Sequence, residues 1–420
     1  MKSNPMNALN WLLHPVLTET FLTQHWNDNP LYIAGTPKKL GPLQFDRSVF
    51  GDLVKSIGGD AGHPALQATI RDAQGHFFKQ NPKPADVDAL YDAGHSIILR
   101  RLEEHSEALA RLRASLKLNM NAVGNVRCDA YMTSGGGGLG IHFDEHHVFI
   151  IQLEGTKCWK FSTRPAVEAP VSPVSAARDE FISGYQTDNP WAQLRLPQDS
   201  GMQEVTLTPG DVLFMPPGTW HDGVADEYSL SVTTYVELRN PAEILLERLS
   251  KKIINQPDWR RHVPLPQPDE FNSLEVPASI HRFFETRLDE MRAELQTLSA
   301  DELVNVWLSD VYSCDMPAPS TVRTDDTQPD DVLARTDAFP IRYSVVNDNG
   351  TPLIHLYLPD DQLTLPVAAQ RLFDEIRRHD QFRACEAMDW TDGDASFAWD
   401  DVAPLLNLLI DSGVLTVVRG

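Results

Sequence analysis

Between Gly124 and Leu238 the chain breaks into short apolar runs separated by turn residues, and that rhythm restricts the fold more than any other feature. Val148 to Leu153, Cys158 to Phe161, Val212 to Met215 and Leu230 to Val236 have the length and the β-branched or aromatic content of strands. Glu154-Gly155 and Thr208-Pro209-Gly210-Asp211 supply turns between them. Short strands at this spacing predict a β-sandwich, a barrel or a jelly roll.

Helical periodicity flanks this block. Residues 18–26 read as a helix capped by Thr18, Pro30 to Ile33 as a short strand, and 101–119 as a helix carrying Leu102, Leu109, Leu112 and Leu116. After Asn240-Pro241, residues 242–255 and 279–298 are amphipathic, and Leu303, Val306 and Trp307 extend the apolar stripe. Pro317-Ala318-Pro319-Ser320 and the polar run Thr324 to Asp331 read as a linker. Beyond it, strands Ile354 to Leu358 and Val414 to Val418 alternate with helices Ala368 to Arg378 and Val402 to Leu409, which predicts a small α+β domain. A chain of 420 residues exceeds what one core serves, in keeping with several domains.

Within the β-rich block, Gly140-Ile141-His142-Phe143-Asp144 carries the chemistry. Residues two apart in a strand project to one face, so His142 and Asp144 can grip one ion. His221, at the end of Pro216-Pro217-Gly218-Thr219-Trp220-His221, offers a third ligand behind a rigid turn. Two histidines and one carboxylate leave open positions on a metal, the arrangement of non-haem Fe(II) oxygenases. His146 shares that face if the strand stays regular and is a rival ligand, ranked below His221; His147 points the other way and reads as structural. Zinc is a weaker alternative, because the set holds no thiolate.

Alternation along Thr156 to Phe161 puts Lys157 on the side of Trp159 and Phe161. An ammonium there costs several kcal/mol without an anion partner. It either meets the far carboxylate of a bound dicarboxylate or snorkels to a sheet edge. Strand 229–235 presents Ser229, Ser231, Thr233 and Tyr235 on one face, and Ser231 or Thr233 suits a hydrogen bond to the same ligand. The glycines Gly135 to Gly138 open no helix, which excludes a nucleotide loop; they form either a flap over the site or a plain exposed loop.

Composition adds exclusions. With 42% hydrophobic and 23% charged residues the chain is an ordinary globular one, and no apolar run reaches bilayer length. The start, Met1-Lys2-Ser3-Asn4-Pro5, lacks a secretory segment, so a cytoplasmic protein is expected. Cys128, Cys158, Cys314 and Cys385 form no CxxC pair, which speaks against a thiolate zinc site or a disulfide framework. A formal charge of -23 disfavours nucleic acid; taken alone it reads first as maintaining solubility and second as speeding encounter with a basic protein.

The chain resembles the ribosomal oxygenases, the cupin-like branch of the JmjC 2-oxoglutarate oxygenases. The matching text is Tyr131-Met132-Thr133, His142-Phe143-Asp144, Phe149 to Trp159, Pro209 to Leu213 and Pro216 to His221, together with Phe21, Trp26 and Pro30-Leu31 near the start. The resemblance implies a double-stranded β-helix catalytic domain over 1–240. It also implies a helical dimerisation region over 241–316 and a winged-helix-like C-terminal domain over 332–420, α+β overall. It further implies Fe(II) on His142, Asp144 and His221, and 2-oxoglutarate held by Lys157, Tyr131 and either Ser231 or Thr233. The implied activity is hydroxylation of an arginine or histidine of a basic ribosomal protein by a homodimer, with no membrane and no direct nucleic-acid contact. The acidity of Asp389, Asp392, Asp394, Asp400 and Asp401 speaks against a DNA-reading winged helix. The competing expectations are a JmjC oxygenase acting on a histone, tRNA or small molecule, and a non-catalytic cupin-like adaptor.

Overall fold

The computed structural model describes residues 7–57, 62–71, 77–175, 197–270, 274–316, 325–348, 350–391 and 397–418. The start Met1 to Pro5, the linker residues Pro317 to Thr324, and Asp392 and Asp394 lie outside the described residues. The chain divides into two compact units, residues 1–237 with 311–420, and residues 238–310.

Among the described residues, thirteen strands precede the second unit. They are β1 (Leu31–Ile33), β2 (Leu66–Arg71), β3 (Phe77–Gln80), β4 (Ser96–Leu99), β5 (Gly124–Thr133), β6 (His142–Phe143) and β7 (His147–Gly155). Then come β8 (Lys157–Ser162), β9 (Val174–Ser175), β10 (Met202–Leu207), β11 (Val212–Met215), β12 (His221–Val224) and β13 (Ser229–Leu238). The major sheet runs β1-β11-β7-β13-β5-β4-β2-β3 and the minor one β10-β8-β12-β6-β9. This is the cupin-type double-stranded β-helix. Strands β2 to β4 widen the major sheet beyond the block that sequence periodicity marks out.

The strand β7 explains why part of the sequence reads as a continuous apolar run. Val148 and Ile150 face the minor sheet and pack with Trp159, Phe161, Leu207, Leu213, Met215 and Tyr235. Phe149, Ile151 and Leu153 face the other way, into a core shared with the N-terminal helices through Leu12, Phe21 and Leu116. A strand covered on both faces has no polar side to show. The helix Thr18–Gln24 lies where expected, but Thr18 is not its cap. Leu17 holds the cap position without a side-chain bond. The Thr18 hydroxyl instead donates to Asn10 Oδ1 at 2.5 Å.

Behind the minor sheet a third cluster joins Phe143, Ala166, Val167, Val174 and Trp220. Phe143 and Trp220 are fully buried and meet edge to face, with ring centroids 4.8 Å apart. Because neighbours in a strand point oppositely, burying these two rings behind the sheet turns His142 and His221 to its front.

Among the described residues, the C-terminal part of this unit has two three-stranded sheets, one in which Leu333 pairs with Phe382 and Val417, the other formed by Arg342–Asp348, Thr351–Leu358 and Asp361–Pro366. It is tied to the helix Glu107–Met120: Ser115 Oγ and Asn119 Nδ2 donate to Ala338 O, and Lys117 Nζ donates to Ser313 O. The second unit is helical, with Pro241–Ile253 opened by an Asn240–Glu243 capping box and a 20-residue helix Ala278–Thr297. No described helix is long and apolar enough to cross a membrane.

Phe143→Ala removes the ring that seats Trp220. The expected loss is about 3–5 kcal/mol of stability, read from chemical denaturation of the first unit. A loss under about 1 kcal/mol would mean that this packing is dispensable.

Candidate metal centre and cosubstrate cleft

His142 and His221 are direct antiparallel partners, β6 against β12. Their rings lie 4.2 Å apart, and His221 Nε2 is 3.7 Å from Asp144 Oδ2. One donor atom from each of His142, Asp144 and His221 falls within 4.8 Å of the others, the one such group among the described residues. Strand β6 ends at Phe143, so Asp144 reaches the group from the bend after the strand rather than from a regular strand position. Its carbonyl accepts from Gly218 N–H at 2.8 Å, which fastens the bend to the Pro216-Pro217-Gly218 turn.

Both imidazoles are oriented from behind. His142 Nδ1 lies 2.8 Å from Gly140 O, and His221 Nδ1 lies 2.8 Å from Thr219 O. A carbonyl only accepts, so each Nδ1 carries the proton and each Nε2 keeps its lone pair for the centre. Burial, with His142 beside it, pushes His221 down to about 4, so the ring is neutral as a metal ligand must be. These donors fit a divalent ion of the kind held by two imidazoles and a carboxylate.

The bend also decides the fate of the neighbouring histidines. His146 turns out of the group, with Nε2 3.4 Å from Glu145 and 3.9 Å from Glu237. His147 is buried, stacks on Trp26 at 3.7 Å and lies 3.2 Å from Asn27 Oδ1, a packing role. Burial lowers it to about 3.

Beside the metal group is a cleft between the two sheets, lined by Tyr131, Leu139, Val148, Ile150, Lys157, Trp159, Ser231, Thr233 and Tyr235. Lys157 does not snorkel: it is 3% exposed, with Nζ 4.9 Å from the Trp159 ring centroid. Burial lowers it to about 8, against a smaller upward pull from Asp222. Gly223 makes the room. A Cβ there would stand 2.8 Å from the Trp159 ring and 2.9 Å from Lys157 Cε. The Trp159 indole N–H has no hydrogen-bond partner among the described residues. A buried ammonium and a free indole donor in one cleft suit a carboxylate.

Ser231 and Thr233 both line the cleft, whereas Ser229 is drawn away, accepting from Gln152 Nε2 at 2.9 Å. Leu230 and Val232 turn into the opposite core. Tyr235 is a lining residue that sequence reasoning passed over, although strand alternation already set it beside Ser231 and Thr233. Its hydroxyl meets that of Tyr131 at 2.5 Å. The glycine run is exposed at Gly135 and Gly136 and is held against residues 223–226. Gly136 N–H donates to Ala225 O, and a Cβ at Gly135 or Gly138 would come within 2.8 Å of the facing carbonyls of Asp226 and Gly223.

The model of the JmjC domain matches residues 104–244. The uncharacterized protein YxbC of Bacillus subtilis is 23% identical over 307 residues, covering 71% of this chain and 90% of that one. Mouse ribosomal oxygenase 2 is 25% identical over 71% of this chain, and the match takes in 63% of that protein's length. Among solved structures, Escherichia coli YcfD, a ribosomal oxygenase in complex with cobalt and 2-oxoglutarate, aligns with a TM-score of 0.52 at 17% identity. That alignment covers 96% of this chain and 99% of that one, and it shows a shared fold.

The position of Lys157 sets a pH dependence. With a folded value near 8 against an ordinary 10.5, the ammonium that attracts an anion is present below about pH 8 and lost above it. Apparent affinity for 2-oxoglutarate should fall by about tenfold per unit above that point. In Lys157→Arg, whose side chain stays charged, the break near pH 8 should vanish. Calorimetric titrations with the metal-loaded protein from pH 6.5 to 9.5 read this directly (about 0.5-unit steps suffice). A flat wild-type profile contradicts it.

Proposed function

We propose that the chain, whose JmjC domain and fold are similar to those of the ribosomal oxygenases, is a 2-oxoglutarate- and Fe(II)-dependent oxygenase that hydroxylates an arginine or histidine side chain of a ribosomal protein. His142, Asp144 and His221 would hold the iron, Lys157 would bind the far carboxylate of 2-oxoglutarate, and Tyr131, Ser231 and Thr233 would complete the cosubstrate site. The observation that carries this reading is the pairing of two back-oriented imidazoles and one carboxylate with a buried lysine in the same cleft.

Iron and 2-oxoglutarate together supply the oxidation of an unactivated carbon by dioxygen, with release of succinate and carbon dioxide. The protein's share is geometric and electrostatic. Gly140 and Thr219 carbonyls hold the two rings in their ligating tautomer. The ammonium of Lys157 would hold the far carboxylate, and the indole N–H of Trp159 offers a second donor in the same cleft. Val148, Ile150 and Leu139 form apolar walls that limit water at the reacting centre.

Several features support the choice of partner and assembly. The charge of -23 draws a basic protein and repels phosphate backbones. The helix Ala278–Thr297 has no fully buried side chain, and Phe284, Leu288 and Leu295 on it are about half exposed, which supports a homodimer through residues 241–316. Residues 332–420 would form a winged-helix-like domain, and the chain would be a cytoplasmic enzyme, in keeping with its four free cysteines.

Two experiments test the proposal. His142→Ala and Asp144→Ala should each abolish succinate formation from 2-oxoglutarate while leaving the fold intact, and unchanged turnover in both would reject the ligand assignment. Mass spectrometry of ribosomal proteins from cells with and without the gene should show one protein lighter by a single oxygen when the gene is absent. Identical masses throughout would reject the substrate class but not the oxygenase.

A further inference from the structure

Gly223 and the glycine run enter the reading above only as packing, yet register places them at the end of the cleft floor. Strands β8 and β12 pair so that Phe161 stands opposite His221 and Trp159 opposite Gly223. Lys157 lies one pleat further on, so its Cα is about 13 Å along β8 from the level of His221. Its side chain does not stay at that level. Lys157 Cε comes within 2.9 Å of the point that a Cβ on Gly223 would occupy, and Nζ lies 4.9 Å from the Trp159 ring centroid. The stem therefore leans back over Gly223 toward the metal group. The Trp159 ring is next in line, 5.9 Å from the His221 ring.

The space over Gly223 is hemmed in on every other side. A Cβ there would also stand 2.8 Å from two atoms of the Trp159 ring. Strand β12 cannot withdraw to make more room. Gly136 N–H donates to Ala225 O at 2.8 Å and Ala225 N–H to Gly137 O at 3.3 Å, which ties the end of β12 to the glycine run. Gly138 closes on the same strand so tightly that a Cβ would stand 2.8 Å from Gly223 O. Neither Gly138 nor Gly223 has a left-handed backbone, so glycine is needed at both for space alone.

We propose that Gly223, backed by the glycine run, is the positioning residue that sets which length of dicarboxylic 2-oxo acid the cleft accepts. Its bare Cα lets the Lys157 ammonium lie nearer the metal group than the lysine's own place on β8. On the oxygenase reading, on which this rests, that reach is set for the five-carbon 2-oxoglutarate and is short for the six-carbon 2-oxoadipate. A methyl group at 223 takes the space of the stem and sends the ammonium back toward its own end of β8, away from the metal group.

Pyruvate has the 2-oxo acid head without a far carboxylate, so it reports the metal end alone. Binding of pyruvate, 2-oxoglutarate and 2-oxoadipate to the Mn(II)-loaded protein is measured by calorimetry. The proteins compared are the unsubstituted chain, Gly223→Ala, Gly138→Ala, Lys157→Met and the double variant Gly223→Ala/Lys157→Met. The unsubstituted chain should prefer 2-oxoglutarate to 2-oxoadipate. Gly223→Ala should weaken 2-oxoglutarate about tenfold, hold pyruvate within about twofold and erase or reverse the preference over 2-oxoadipate. Gly138→Ala, which presses on the carbonyl of residue 223, should weaken 2-oxoglutarate in the same sense and spare pyruvate. In the Lys157→Met background Gly223→Ala should change nothing further, because the displaced stem no longer carries a charge. Thermal denaturation identifies a variant that has lost its fold, and the other glycine variant then carries the comparison. No length preference in the unsubstituted chain, a preference untouched by Gly223→Ala, equal losses for pyruvate and 2-oxoglutarate, or a full further loss in the Lys157→Met background would each overturn the proposal. Failure of the unsubstituted protein to bind 2-oxoglutarate would instead overturn the oxygenase reading.

Discussion

The edge-to-face contact of Phe143 with Trp220 is the interaction from which the site follows. Each ring is the sequence neighbour of a metal-facing histidine, and each is fully buried behind the minor sheet. Turning either strand over would expose a large aromatic surface, at a cost of about 2–3 kcal/mol per ring, and carry a polar imidazole into the apolar cluster. The hydrophobic effect therefore sets which face His142 and His221 share. The backbone pairing of the two residues then brings the rings together, and the carbonyls of Gly140 and Thr219 choose the tautomer.

The same logic runs through the cleft. A lysine at 3% exposure is unfavourable in the empty protein, and nothing in its immediate surroundings neutralises it fully. The fold keeps that ammonium in place by providing Gly223, where any larger residue would collide with it, and a Trp159 face against which it rests. Such an arrangement stores binding energy for an anion rather than stability for the chain. The major sheet contributes hydroxyls and the minor sheet contributes candidate metal donors and the cation, so both layers line one cleft.

Much of this was legible in the sequence, for identifiable reasons. The convergence of His142, Asp144 and His221 was legible because strand alternation and a double-proline turn are local signals, and the burial of Lys157 because its apolar neighbours two and four residues on declared a covered face. The strands of the central block were legible from their punctuation. What escaped depends on tertiary closure. Asp144 acts from a bend held by Gly218 N–H, which removes the regular alternation that had made His146 a rival. The strands β2, β3 and β4 carry mixed residues such as Gln67, Thr69 and Lys79 and offer no clean period. Gly135 to Gly138 look mobile in sequence, yet Gly135 and Gly138 are demanded by the close carbonyls of Asp226 and Gly223. The hydroxyl contact that gives Tyr235 its place crosses strands 104 residues apart, beyond any local pattern.

The central claim is that His142, Asp144 and His221 hold an iron on which 2-oxoglutarate chelates. The most direct measurement is the visible absorption of the protein under anaerobic conditions with Fe(II), before and after 2-oxoglutarate is added. The account predicts a weak charge-transfer band that appears only with both components and is missing in Asp144→Ala. A spectrum unchanged by 2-oxoglutarate at saturating Fe(II), or a band that survives in Asp144→Ala, would contradict it.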